Sequence, residues 1–324
     1  YQALEAANGG RYWREWPDEA DRRLFDPAPG DEAQAVGRLR ARLGEHIDGV
    51  DAWSFLQFLL HRQHRELQAR AHGLGLKLFG DLQIGLSPRD DWAAQAFLMR
   101  GYRMGAPPSR TNPEGQAWNH AVLDPAQFVV AGPDGALQPG PALRFLHARM
   151  DKMFAELDGV RIDHPHGFVC PWVYPADQPD ATLAGQSGAR LFSSPDLPDH
   201  PDLAGYAIAR PDQLDIDVPR HDDAWVKDLD DEQVDRYALL VDAIVAAARE
   251  HGHATEDIAC EILSTQPYPL GRVMARHGLG RFRVTQKADL DRPEDGYRGE
   301  NARPEDWIMV GNHDTRPIWR VARD

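Results

Sequence analysis

Five short apolar runs, at about 76–81, 159–163, 257–261, 281–286 and 307–312, each close on polar or ionisable groups, in a chain otherwise dominated by amphipathic helical stretches. The closing residues are Asp81, Asp163 with His164, Glu261, Gln286 with Lys287, and His313 with Asp314. This order limits the fold more than any other feature. Strands alternating with helices imply a parallel sheet joined by right-handed crossovers. A doubly wound sheet would gather its site at one switch point beside a Gly-rich phosphate loop, and no such loop follows any of the five runs. A (β/α)8 barrel instead builds its site along the C-terminal ends of successive strands, each contributing a group. The fold class read from the sequence is therefore α/β, a (β/α)8 TIM barrel with loop insertions.

The helices are marked by apolar residues at three- and four-residue steps in "DEAQAVGRLRARLG", "DAWSFLQFLLHRQHRELQARAHGLG", "PALRFLHARMDKMFAEL" and "DEQVDRYALLVDAIVAAAREHG". "PYPLGRVMARHG" is a shorter helix with Pro near its start. "FLQFLL" reads as a core stripe, and His61 and His64, one turn apart, as helix-surface residues rather than a metal pair. Residues 168–228 are rich in Pro, Asp and Gly and show little periodicity, so they read as a long insertion over the active site. "GAPPSRTNPEGQAWNH" reads as a loop.

Composition narrows the function. A net charge of −15 opposes binding to nucleic acid or an anionic membrane, which needs a clustered basic patch. A neutral, sugar-like substrate suits this balance better. Cys170 and Cys260 are the only cysteines and have no metal-type spacing, so a disulfide framework is not expected. With no bilayer-length apolar run and no signal-peptide pattern, the expectation is a cytoplasmic protein. No cofactor and no metal site are expected.

Asp163, Glu261 and Asp314 carry the chemistry. If their strands are neighbours, the three carboxylates converge on one pocket. Two of them about 5–5.5 Å apart would suit a retaining glycosidase, one attacking the sugar while the other protonates the leaving oxygen. Arg161, two residues before Asp163, projects to the same face and would keep that carboxylate ionised. Two-metal hydrolysis is the competing chemistry, because "IDHPHG" and "GNHD" combine His with Asp, but such sites need several more ligands with supporting partners.

At these residues the sequence resembles the 4-alpha-glucanotransferases (amylomaltases, or disproportionating enzymes), glycoside hydrolase family 77 of the alpha-amylase clan. "RIDHPHGF" is similar to the family's R-I-D-H-F-R-G-F, "VGNHDT" to T-G-T-H-D-N, "GDLQI" to "GDLPI", and "GAPPSRTNPEGQAWNHA" to its GxPPD…GQxWGxP loop. The resemblance implies Asp163 as nucleophile, Glu261 as general acid/base and Asp314 as the residue that binds sugar hydroxyls and favours the oxocarbenium-like state. It implies substrate-binding roles for Arg161, His313, Asp81, Gln116 and Trp118, with His164 in the pocket wall. The implied activity is retaining transfer of 1,4-alpha-glucan (maltodextrin) segments to an acceptor glucan or glucose, with maltooligosaccharides as partners.

Several positions depart from the pattern. Pro165 and His166 stand where the family has Phe-Arg, and "RIDHPHG" also echoes the maltooligosyltrehalose synthases of the same clan. "CEILS" replaces A-E-D-L-G, Ser109 replaces an Asp, and Asn119-His120 replace Gly-Leu or Gly-Asn. A maltooligosyltrehalose-synthase-like or other alpha-amylase-clan enzyme, and a non-catalytic glucan-binding relative, are therefore the alternatives. The likeness begins after the family's first two barrel strands and stops after the seventh. Residues 1–324 are accordingly expected to form a partial catalytic barrel domain, strands 3 to 7, from a longer enzyme.

Overall fold

The structure is a computed structural model and describes residues 1–110 and 112–323; Thr111, inside the quoted loop, and Asp324 lie outside the described residues. Contacts divide the chain into two compact units, Tyr1–Lys77 with Gly85–Met99, and Leu78–Ile84 with Arg100 onward.

The first unit is helical. Its core is an aromatic cluster of Trp13, Trp16, Trp92, Leu4 and Leu24, with Tyr1, Tyr12, Phe25 and Leu39 packed against it. Trp16 and Trp92 meet edge to face at 5.4 Å, and Phe25 meets Trp92 at 4.8 Å, geometries that satisfy the ring quadrupoles. Asp21 is buried beside this cluster, and Arg38 and Arg42 donate to it at 2.6 and 2.9 Å. Burial alone would raise its pKa, but the two guanidiniums hold it below the usual carboxylate range. The Ile47–Gly73 helix forms as its periodicity implies. The expectation for "FLQFLL" fails, however: Phe55 is 59% exposed, and Leu56, Phe58 and Leu60 are also more than half exposed.

The second unit carries two sheets that position the site. In the first, the strands Phe79–Gln83, Gly159–Asp163 and Ile258–Glu261 pair in parallel, in that order. Phe282–Val284 and Trp307–Met309 form a separate parallel pair. Leu82, Val160, Ile162, Ile258 and Cys260 are buried, each large apolar side chain contributing about 1.5–3 kcal/mol. The Pro141–Glu156 and Asp231–Glu250 helices pack on each other. Proline opens the first at a position that needs no N–H. The second starts with a capping box, in which Asp230 accepts from the Gln233 backbone at 2.9 Å and Gln233 accepts from the Asp230 backbone at 3.0 Å. Its buried face is Val234, Tyr237, Val241, Ile244 and Val245.

Two expectations change in this unit. The first strand runs from Phe79 to Gln83 rather than over 76–81, because the ladder pairs Phe79 with Gly159 and the Leu78 N–H is taken by Asp158 Oδ2 at 2.7 Å. Asp81 therefore sits mid-strand. The Gln116 segment is not simply a loop: Tyr102–Ala106 and Gln116–His120 are strands of an antiparallel sheet completed by Trp172–Pro175 and Ala189–Arg190. Residues 168–228 are well packed, with Phe192, Leu203, Trp225 and Val226 buried. No helix among the described residues is long and apolar enough to cross a membrane.

Candidate active site

Strand register assembles the site. Across the three parallel strands, Gln83, Asp163 and Glu261 share one row, and Asp81, Arg161 and Ala259 share the row two residues earlier. Side chains two apart on a strand face the same side, so Arg161 lies among three acids. Its Nη1 donates to Asp81 Oδ1 at 2.5 Å, and its Nη2 to Glu261 Oε2 at 2.6 Å and Asp163 Oδ1 at 3.3 Å.

The two central carboxyls occupy different environments. Glu261 is 2% exposed; burial raises its pKa, its hydrogen bond with Asp163 raises it further, and Arg161 only partly offsets them. Asp163 shifts the opposite way, held well below the usual carboxylate range by the His164 hydrogen bond and by Arg161. His164 Nδ1 lies 2.6 Å from Asp163 Oδ1 and 3.6 Å from Glu261 Oε2. Burial works against a charged imidazole there, yet the Asp163 bond and both acids raise its pKa. The pair is thus biased toward an ionised Asp163 beside a protonated Glu261.

His164 has φ +53°, as Asn119 has φ +57°. For a non-glycine residue this left-handed conformation is costly and persists only where the surroundings fix it. Asn119 tolerates it where the resembled family has Gly, and its N–H donates to the Tyr174 hydroxyl at 2.8 Å.

A cavity of about 530 Å³ opens over these residues. It brings together Gln116, Trp118, Arg161, Asp163, His164, Glu261, His313 and Asp314, and Lys287 also lines it. Trp118 packs edge-on to His164 at 5.3 Å, and its indole N–H donates to Gln116 Oε1 at 2.9 Å. Asp314 follows the Trp307–Met309 strand in a turn where its N–H donates to Asn312 Oδ1 at 3.1 Å. Of the site residues expected from sequence, Asp81 alone reaches the cavity only through Arg161. Sequence reasoning missed Arg190, Cys170 and Trp172 as cavity lining, because they arrive on the antiparallel sheet and its flank.

Asp163, His164 and Glu261 offer three potential metal-ligand atoms within 4.8 Å of one another. Arg161 already supplies positive charge to both carboxyls, so the group is balanced as an acid pair with its own cation.

A family model described as 4-alpha-glucanotransferase matches residues 1–321, and the chain belongs to that family. Among curated proteins, the 4-alpha-glucanotransferase of Thermus thermophilus is 28% identical over 189 residues, 56% of this chain and 34% of that protein. The 4-alpha-glucanotransferase of Mycobacterium bovis is 29% identical over 174 residues, 52% of this chain and 21% of that protein. The fold is similar to the amylomaltase from Streptococcus agalactiae solved in complex with acarbose, with a TM-score of 0.62 at 16% identity over 97% of this chain and 51% of that one. Amylomaltase from Corynebacterium glutamicum gives 0.55 at 17% identity, over 98% of this chain and 37% of that one. The chain thus spans about half the length of the first of these structures and about a third of the first curated relative.

Proposed function

We propose that this chain carries the catalytic centre of a retaining 4-alpha-glucanotransferase. The observation that carries the reading is the in-register Asp163–Glu261 pair with its opposed pKa shifts. Oxygens of the two carboxyls lie within 4.8 Å of each other, which suits the close carboxyl spacing of retaining enzymes, about 5–5.5 Å, rather than the about 6.5–9.5 Å that leaves room for an inverting water.

In the first step Asp163 attacks the anomeric carbon, and the glycosidic C–O bond breaks as Glu261 gives its proton to the leaving oxygen. Glu261, now a carboxylate, then takes the proton of an acceptor 4-hydroxyl. That oxygen attacks the same carbon and frees Asp163. Arg161 limits the charge built up between the two acids. Asp314 and His313 face the sugar in the same cavity, and Trp118 offers an indole face for stacking.

Glucans and maltooligosaccharides are the proposed substrates, and the names of the family and its relatives favour this reading over a trehalose-forming one. The finer architecture we propose is a (β/α)8 barrel of which these are the third to seventh strands, supported by the parallel pairing within the set of three and within the pair, and by Asp163, Glu261 and Asp314 at or beyond the C-terminal ends of three of them. A cytoplasmic location remains part of the proposal.

The test is incubation with maltotriose. Release of glucose together with longer oligomers, abolished by D163N, is expected; intact oligosaccharide binding without redistribution would reject the enzyme reading.

A further inference from the structure

Beside the catalytic cavity lies a second one, of about 250 Å³, lined by Arg110, Leu263, Ser264, Arg281, Arg292 and Tyr297, with Glu294 and Asp295 also on its wall. Leu263 and Ser264 line both cavities, and they stand two and three residues after Glu261. The smaller cavity is therefore reached from the side of the proposed acid/base.

Among the described residues its ion pairs leave one cation over. Arg110 pairs with Asp295 at 3.3 Å, and Arg292 with Glu294 at 3.3 Å. Arg283, just outside, pairs with Asp306 at 2.6 Å, and Asp306 also accepts from the backbone N–H groups of Arg281 and Arg303. Arg281 is the exception. Among the described residues its guanidinium makes one hydrogen bond, from Nη1 to Gln266 Oε1 at 2.9 Å, and its buried Nε has no acceptor. Asp223, nearby and half-buried, accepts from the Gln266 N–H at 2.7 Å through Oδ2, while its Oδ1 has no partner among the described residues; its charge reaches Arg281 without an ion pair being formed. The Arg281 guanidinium lies against Gly296, where a Cβ would come within 3.2 Å of three of its atoms. Tyr297, 1% exposed, presents a buried hydroxyl with no partner among the described residues.

A guanidinium stays protonated in a protein, and Arg281, half-buried with the charges of Asp306 and Asp223 acting on it but neither acid bonded to its guanidinium among the described residues, keeps donor capacity to spare. In a chain of net charge −15, such a cation beside an orphaned hydroxyl is built for an anionic group brought by a ligand. We propose that this cavity is an acceptor-side subsite for a sugar bearing an anionic oxygen substituent, a phosphate or a carboxylate. Arg281 is its counter-ion and Tyr297 a second hydrogen-bond donor. The acceptor-side placement rests on the acid/base role of Glu261.

Titration calorimetry on the 324-residue chain tests this with glucose, glucose 6-phosphate, glucuronate and inorganic phosphate as probes. At least one anionic sugar is expected to bind about tenfold or more tightly than glucose. That advantage should shrink with added salt, vanish in R281Q and return in part in R281K. Preference for glucose 6-phosphate or for glucuronate identifies the substituent. Equal binding of glucose and both anionic sugars overturns the inference, as does an advantage retained in R281Q. Inorganic phosphate binding as tightly as the sugar phosphate also overturns it, since no sugar is then recognised. If circular dichroism shows that R281Q fails to fold, Y297F is read instead: a loss of about threefold in the anionic advantage supports the proposal, and no change contradicts it. These measurements need no turnover, so a failure of glucan transfer would be seen separately from a failure of anion preference.

Discussion

Replacing Arg161 by methionine is the sharpest perturbation of the proposed centre, because one side chain touches three acids. At an effective dielectric of about 20, a charge pair at the 2.6 Å separation of Arg161 from Glu261 carries about 6 kcal/mol of gross attraction. Desolvation of both groups offsets much of this, and breaking a buried pair typically costs about 3 kcal/mol. The bond to Asp81, which is half exposed, adds little to that figure. Loss of the cation therefore moves the titrations of both carboxyls upward, the two sharing the change because they interact directly. The sign follows from the cation's removal, since Arg161 lowers the pKa of both carboxyls. Carbon-13 carboxyl titration should show both transitions moving up. The acid and alkaline limbs of the transfer-rate profile should both shift to higher pH, since they report an ionised nucleophile and a protonated acid. R161K, which keeps the charge but loses the fork, should shift them less. Transitions that stay in place or move down in R161M would refute the electrostatic role.

Four further outcomes follow from the packing. D21N should destabilise the chain by about 3 kcal/mol in urea denaturation, because it leaves Arg38 and Arg42 without their buried partner. Since the folded-state pKa of Asp21 is depressed, this contribution is complete above the unfolded-state carboxylate pKa and fades as pH falls through the folded value, so wild type and D21N should converge in stability in acid. Burial pushes the Cys170 thiol to about 11 and the Cys260 thiol to about 12, so neither should react with a thiol reagent at neutral pH until the chain is unfolded. G105A should cost about 2 kcal/mol, because its Cβ would meet the Gln116 carbonyl at 2.0 Å in the antiparallel sheet. G37A, in the Glu32–Glu45 helix with nothing within 4 Å, should instead stabilise by about 0.5–1 kcal/mol.

How far the sequence could be read depended on how local the determinants are. "GVRID" and "DIACE" announce themselves because alternating apolar and charged residues at a strand's end leave few placements for the acids, and the structure sets Asp163 beside Glu261 in register. The position of Asp81 was less legible, since the apolar "LKLF" marks a strand without fixing which residue pairs with Gly159. The antiparallel sheet was hidden for a different reason: its Gly- and Pro-flanked strands are short, and Tyr102–Ala106 finds Trp172–Pro175 far along the chain. Arg190 entered the cavity by that route. Nor could periodicity reveal that Phe55 and Phe58 face outward, because an apolar stripe gives a direction and not the surface that covers it. That Arg281 forms no ion pair among the described residues is likewise a property of three dimensions, since only the fold allots Asp295, Glu294 and Asp306 to Arg110, Arg292 and Arg283.

The central claim, that Asp163 forms a covalent bond to sugar with Glu261 as its acid/base partner, is tested most directly by intact-mass measurement of E261Q after exposure to an α-maltosyl fluoride. Fluoride departs without a proton donor, so the first step should proceed while the second, lacking its base, stalls. The account predicts a stable mass increase of one maltosyl unit, mapped by peptide digestion to Asp163 and absent from the D163N/E261Q double variant. An adduct on another residue, or one that persists without Asp163, would contradict it.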